Sequence, residues 1–137
     1  MLPVKYLLNY DRIMAMTERD LCEARYIDAE RVEAVLCSLI DRGAAEDIAN
    51  VFRVLADPTR VAIIHALSFA ELCNCDLASV LNISESACSH QMRELRLMKL
   101  VSAEKRGRMV FYRLSDTHIR HIFEDTLRHV REGAHAT

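Results

Sequence analysis

The sequence has few helix-breaking residues and no long apolar run. Among its 137 residues there are two prolines, three glycines and no tryptophan, so helices should dominate. The longest uncharged run, 61–70, has 10 residues, and a membrane-spanning helix needs about 20. The N-terminal segment carries no apolar stretch of signal-peptide length. We therefore expect a cytoplasmic protein with no membrane partner.

What is present is the composition of a folded domain. Hydrophobic residues make up 51% of the chain and charged residues 28%, which is typical of a single globular domain. We expect an N-terminal arm over 1–27, which carries Cys22, followed by one domain over 28–137. The five cysteines are irregularly spaced, and in a chain that is not exported they are expected to be free thiols or metal ligands.

The net charge of −2 is unevenly distributed. Segment 1–83 carries a net charge of −5, whereas 84–114 has seven basic against three acidic residues and a net charge of +4. Segment 115–137 is close to neutral, at −1. A basic patch on an acidic chain indicates a surface for an anionic polymer or, more ordinarily, a solvated face.

Apolar residues at helical spacing predict three helices in the first half of the domain. The first is capped by Asp28 and stopped by Gly43, and the second covers 44–56. The third begins at Pro58, where a proline fits the first turn, and ends at Ala70.

The next segment predicts a helix-turn-helix. A short helix over 71–81 is ended by Asn82, a residue that tolerates the left-handed conformation, and Ser84 caps a second helix that runs to about Met98. Two helices joined by about three residues form such a motif.

Two β-prone runs follow, 100–105 and 109–114, around a turn at Gly107. A closing helix then starts at Ser115. This order predicts a winged helix-turn-helix, a mainly α fold with a β-hairpin wing (α+β). The second helix and the wing carry the residue types that contact base edges and phosphates: Ser86, Ser89, His90, Gln91, Arg93, Lys105, Arg106 and Arg108.

Several segments resemble the ArsR/SmtB family of bacterial metal-responsive repressors, from about Asp28 to Glu132. They are LADPTR at 55–60, ELCNCDL at 71–77, SESACSHQMREL at 84–95, KRGR at 105–108, and Asp116 to His118 with His129 to Glu132. Within the family, the arm looks most like the CadC branch, which senses cadmium, lead and zinc. The resemblance implies a homodimer that represses metal-efflux or detoxification genes and leaves operator DNA when metal binds.

The resemblance and the spacing together indicate a thiolate site made of Cys22, Cys73 and Cys75. Cysteines two apart diverge by about 200° in a regular helix, but at a helix start both sulfurs can face one ion. A helix start should also lower their thiol pKa values. Thiolates suit Cd(II) and Pb(II) and tolerate Zn(II). Tyr26 stands where CadC-type chains carry a second arm cysteine.

The closing helix carries a second candidate metal site. His118 and His129 lie within about 20° on one face but about 16 Å apart along the axis, so they cannot share an ion within one chain. The family pattern implies a zinc site between two protomers, made of Asp116 and His118 from one and His129 and Glu132 from the other. A local pair, His118 with His121 helped by Asp125, is the competing interpretation.

A metal-sensing repressor is the function these features favour. The alternatives are a thiol-based arsenical or redox switch on the same scaffold, in which Cys22 could complete a trio for trivalent arsenic, and a metal-sequestering protein. The basic segment 84–114 argues against sequestration alone. No nucleophile-base pair, phosphate-binding loop or open catalytic metal motif is found, so we do not expect an enzyme.

Overall fold

The computed structural model describes residue 24 and residues 26–134. The chain divides into two compact units, Met1–Ile40 and Asp41–Thr137, each of which is described by itself. The first unit contains helix α1 (Ala29–Ser38), and the carboxylate of Asp28 caps it by accepting the backbone N–H of Arg31 at 3.0 Å. The cap is the one predicted. The predicted boundary between arm and domain at 27/28 stays a prediction.

The end of α1 differs from the expected one. Helix α1 ends at Ser38, and Leu39 takes an extended conformation. Asp41 then starts a new helix, α2 (Arg42–Leu55), by accepting the backbone N–H of Ala44 at 2.9 Å. Gly43 therefore lies in the first turn of α2, and its assignment as a helix stop is wrong because the cap two residues before it begins a helix.

The second unit continues with helices, a three-stranded sheet and a closing helix. The elements are α3 (Pro58–Phe69), β1 (Leu72–Cys73), α4 (Asn74–Leu81), α5 (Glu85–Leu97), β2 (Val101–Arg106), β3 (Met109–Leu114) and α6 (Thr117–Ala134). The antiparallel sheet has the order β1-β3-β2. Among the described residues, no helix combines the length and the apolar character that crossing a membrane requires.

Local signals place the ends of most elements. Asp57 caps α3 by accepting the N–H of Arg60 at 3.0 Å, Ser84 caps α5, and Asn82 ends α4 with a φ of 53°. Gly107 turns the hairpin with a φ of 61°, which favours glycine. The winged helix-turn-helix order predicted from the sequence is therefore present.

The short strand β1 is the main departure from the predicted elements. Segment 71–81 was expected to be helical throughout, but Leu72 pairs with Tyr112 and Cys73 with Phe111 in β3. Helix α4 starts only at Asn74. The prediction of helix at 72–73 is wrong because backbone pairing with the wing competes with the helix.

One hydrophobic core joins these elements. Ile63, Leu77, Met92 and Leu95 are fully buried, with Ile64 and Leu100 at 2% exposure or less. Cys88 is also fully buried, as expected for a small core residue on α5. Because the core fixes α4 and α5 together, it sets which face of α5 is left in solvent.

Candidate nucleic-acid interface and metal ligands

Helix α5 presents a polar face opposite its buried stripe. Cys88, Met92 and Leu95 are buried at helical spacing, whereas Ser86, Ser89, His90 and Arg93 are exposed. The Ser84 hydroxyl accepts the N–H of Ala87 at 3.1 Å and begins the helix. Four of the five predicted DNA-contacting residues of α5 therefore share one accessible surface, which we call the recognition face.

Gln91, the fifth of these residues, is half-buried and lies about 140° from Ser86 on the helical wheel, beside the buried stripe. Its Oε1 accepts from Nε of Arg60 at 2.8 Å, and Nη1 of the same arginine donates to the carbonyl of Val54 at 3.1 Å. Arg60 therefore connects the end of α2 to α5. This contact could not be predicted from the sequence, since its partners are 31 residues apart.

The wing exposes Lys105 and Arg108 beside the Gly107 turn. Arg106 is held differently. It forms ion pairs with Glu71 and with Glu104, whose Oε2 accepts from Nε at 3.1 Å, and its guanidinium lies 4.7 Å from the ring centroid of Phe111. The carboxylates of Glu71 and Glu104 therefore offset the positive charge of Arg106 at the end of β2.

The same contacts shift two pKa values. The hydrogen bond from Arg106 lowers the pKa of the Glu104 carboxyl, and the hydrogen bond to Glu104 raises the pKa of Arg106. Glu104 could have been found from sequence, since residues two apart on a strand share a face. Glu71 could not, because only the folded chain brings it to the wing.

The cysteine pair lies where β1 meets α4. Cys73 is 1% exposed and caps α4, with its Sγ accepting the N–H of Asp76 at 3.4 Å, whereas Cys75 is exposed in the first turn. The two thiols are close enough that Cys73 contributes to the raised pKa of Cys75. One buried and one accessible sulfur at a helix start fit the chemistry of a soft cation.

The pKa of Cys75 changes in the opposite direction to the expected one. The negative charge of Glu85, from the first turn of α5, raises it most, followed by burial and a hydrogen bond with Glu85. The prediction that a helix start lowers its pKa is wrong because this carboxylate faces the thiol from the neighbouring helix. The same carboxylate would favour a cation at that position.

The remaining candidate thiolate ligand, Cys22, lies outside the described residues. Within the part of the chain that is described, no three Cys, His, Asp or Glu side chains are grouped to hold a metal ion. Tyr26 is 86% exposed, and Cys37 on α1 is exposed as well. The two described sulfurs therefore need a ligand from elsewhere to make a three-coordinate site.

The predicted zinc ligands all lie exposed on or next to α6. Asp116 caps this helix, with Oδ1 accepting the N–H of His118 at 2.8 Å and of Ile119 at 3.2 Å. His118 and His129 are 11 positions apart in one continuous helix, which places them about 16 Å apart along its axis. Within one chain they are therefore too far apart to bind the same ion.

The chain is similar to known regulatory proteins over most of its length. Residues 57–103 match the model of the arsR family of bacterial regulatory proteins. The chain is 38% identical over 116 residues to a transcriptional repressor SmtB homolog from Synechocystis, covering 85% of this chain and 88% of that protein. It is 36% identical over 117 residues to a cadmium resistance transcriptional regulatory protein CadC homolog from Staphylococcus aureus, covering 85% and 96%.

A solved structure shares the fold. The homodimeric winged helix-turn-helix DNA-binding domain Mb0332 from Mycobacterium bovis superposes with a TM-score of 0.66, at 23% identity, over 72% of this chain and 94% of that one. The two curated relatives are each more than 30% identical to this chain, and the matched regions span 88% and 96% of their lengths. This similarity identifies the family. The chain belongs to the ArsR/SmtB family and is a winged helix-turn-helix transcriptional repressor, not an enzyme.

Proposed function

We propose that this repressor senses metal: its metal-free homodimer binds operator DNA and leaves it when Cd(II), Pb(II) or Zn(II) binds, which controls metal efflux or resistance genes. One observation carries the proposal. Asn74, between Cys73 and the exposed Cys75, donates to the backbone carbonyl of Glu85 at 3.2 Å, which places the cysteine pair beside the first turn of the helix that bears the recognition face. An ion at this pair would act directly beside the DNA-binding surface.

The proposed thiolate site uses Cys73, Cys75 and Cys22. The three thiolates would hold a soft cation and supply the sulfur ligands that such an ion prefers. Cys73 has to give up the N–H of Asp76 that its sulfur accepts, or share it, when it becomes a ligand. Glu85 favours a positive charge at Cys75. These residues support the site by donor chemistry and position.

A second copy of the chain would cover an apolar groove between α2, α3 and α6. Phe52, Ile122 and Val130 line it and are 55%, 38% and 53% exposed, respectively. Side chains of this size are rarely left in water over such a contiguous patch. On a helical wheel, Ile122 lies within about 40° of His118, so covering the groove brings a second α6 toward the histidine edge. This supports the proposed intersubunit site of Asp116, His118, His129 and Glu132.

A thiol-based arsenical or redox switch is the second candidate. It is favoured by the proximity of Cys73 and Cys75, two residues apart at one helix start. The two functions differ in what reverses them: a chelator restores DNA binding after a divalent metal, and a reductant restores it after oxidation.

The test is a binding titration on a duplex that the metal-free protein selects from a random library. Fluorescence anisotropy is followed while Zn(II), Cd(II), Pb(II) or arsenite is added, for the wild type, Cys75→Ser and His118→Ala. We expect divalent metal to weaken binding in the wild type and a chelator to restore it. Release by arsenite alone, or restoration by reductant alone, would favour the second candidate.

A further inference from the structure

Asn74 lies between the two cysteines and its side chain reaches the recognition helix. Nδ2 of Asn74 donates to the carbonyl of Glu85 at 3.2 Å, and Oδ1 accepts from the hydroxyl of Ser89 at 3.2 Å. Residues 85 and 89 are one turn apart on α5. A single half-buried amide therefore contacts both ends of that turn.

The two contacts fix the orientation of the amide. The carbonyl of Glu85 can only accept, so the NH₂ group must face it and the oxygen is left for Ser89. The Ser89 hydroxyl then donates its hydrogen inward, toward Asn74. Its lone pairs are directed away from Asn74, and an exposed hydroxyl on the recognition face presents an acceptor to DNA.

The same residue is bound covalently to both candidate metal ligands. Cys73 caps α4 and Cys75 is its second residue, with Asn74 the first. A backbone change that lets both sulfurs face one ion must pass through the dihedral angles of Asn74. Its side chain, only two rotatable bonds long, would then move relative to Glu85 and Ser89.

We propose that Asn74 is the positioning residue of this repressor: it holds Ser89 in the DNA-binding orientation and transmits a change at Cys73 and Cys75 to α5. The second half of this proposal rests on the proposed metal site. The first half does not, because the contacts of Asn74 with Glu85 and Ser89 involve no metal ion. The alternative is that Asn74 only stabilises the start of α4.

The first experiment uses metal-free, full-length protein and the selected duplex. Asn74→Ala should weaken DNA binding about tenfold, the size of one lost base contact, and Ser89→Ala should weaken it similarly. In the double variant, binding should be weakened by less than the product of the two single fold-changes, because both substitutions remove the same contact between Asn74 and Ser89. Ser79→Ala, an exposed position on the same helix, is the matched control.

The second experiment measures coupling. The ratio of the DNA dissociation constants with and without Cd(II) should fall at least fivefold in Asn74→Ala, while the Cd(II) affinity from the thiolate charge-transfer band changes less than threefold. Asn74→Asp keeps an acceptor for Ser89 and a residue suited to a helix start, so it covers the case in which the alanine variant does not fold. We expect it to recover part of the metal-free DNA affinity.

Two results would overturn the proposal. The first is that metal-free Asn74→Ala and Asn74→Asp bind DNA like the wild type, while the alanine variant unfolds at a lower temperature. Asn74 would then have only a structural role. The second is that the fold-changes of Asn74→Ala and Ser89→Ala multiply in the double variant. The two side chains would then act independently on DNA binding. If Cd(II) has no effect on DNA binding by the wild type, the metal site fails, but the metal-free result still decides the positioning role.

Discussion

Arg60 donates from Nε to Oε1 of Gln91, across 2.8 Å between α3 and the recognition helix α5. The contact uses the amide oxygen of Gln91 and leaves its NH₂ group available as a donor. If Gln91 contacts DNA as predicted, the side chain is already held in place, and we expect little loss of freedom on binding.

Gln91→Glu should keep the contact with Arg60 and remove the donor. We expect an unchanged or higher unfolding temperature, since the pair becomes charged, and DNA binding weaker by at least tenfold because a carboxylate faces the phosphates. Circular dichroism melting and anisotropy titration measure the two effects. Gln91→Ala, which loses both groups, is the comparison, and equal DNA affinity in wild type and Gln91→Glu would place this residue outside the interface.

The wing cations should contribute unequally to the salt dependence of DNA binding. Arg108→Ala should reduce the slope of log K against log salt by about one, the value for one lost phosphate contact. Arg106→Ala should change the slope less, because Glu71 and Glu104 already offset its charge. Equal slope changes would mean that Arg106 leaves both carboxylates when DNA binds.

The ion pair in the wing should make stability depend on pH. Because the pKa of Glu104 is lowered below its ordinary value of 4.5, the stabilisation is present above that value and is lost as the pH falls through the lowered pKa. Glu104→Gln should therefore lower the unfolding temperature at about pH 7, and the difference from the wild type should shrink as the pH falls below 4.5. Glu124→Gln, an exposed carboxylate on α6, is the control.

Cysteine variants should separate ligands from bystanders. Cys73→Ser or Cys75→Ser should abolish the ultraviolet charge-transfer band of bound Cd(II), because a hydroxyl is a poor ligand for a soft ion, and Cys22→Ser should weaken it. Cys37→Ser should leave the band intact. Cys37 is a suitable control since it is exposed like Cys75. Loss of the band in Cys37→Ser but not in Cys73→Ser would contradict this assignment.

Zinc and operator DNA should weaken each other's binding by the same factor. Calorimetry of the wild type, with and without saturating duplex, measures that factor. His118→Ala should remove it, and His121→Ala should leave it unchanged if the site is shared between protomers. Loss of zinc binding in His121→Ala would instead support the local pair with His118.

Element ends that depend on three or four neighbouring residues could be predicted from the sequence. The caps at Asp57 and Ser84 and the left-handed Asn82 each depend on contacts within one turn, so residue type and spacing were enough. Strand β1 was missed because its pairing partner in β3 lies far along the chain. The contact of Arg60 with Gln91 was missed for the same reason.

The candidate site could also be predicted only where it depends on residues close together in the sequence. The exposed face of α5 follows from helical periodicity, and the cysteine pair from its spacing. The effect of Glu85 on Cys75 could not be predicted, because helix-helix packing alone brings the carboxylate to the thiol. The ligands proposed from a second protomer and from the arm stay predictions.

Strand β1 makes Cys73 a member of the sheet that forms the wing. Cys73 pairs with Phe111, and the guanidinium of Arg106 lies over the ring of Phe111. A substitution at position 73 therefore acts on the wing as well as on the proposed thiolate site. Position 75 is exposed and outside the sheet. Position 73 is thus constrained by the packing of the sheet, whereas position 75 is free of that constraint.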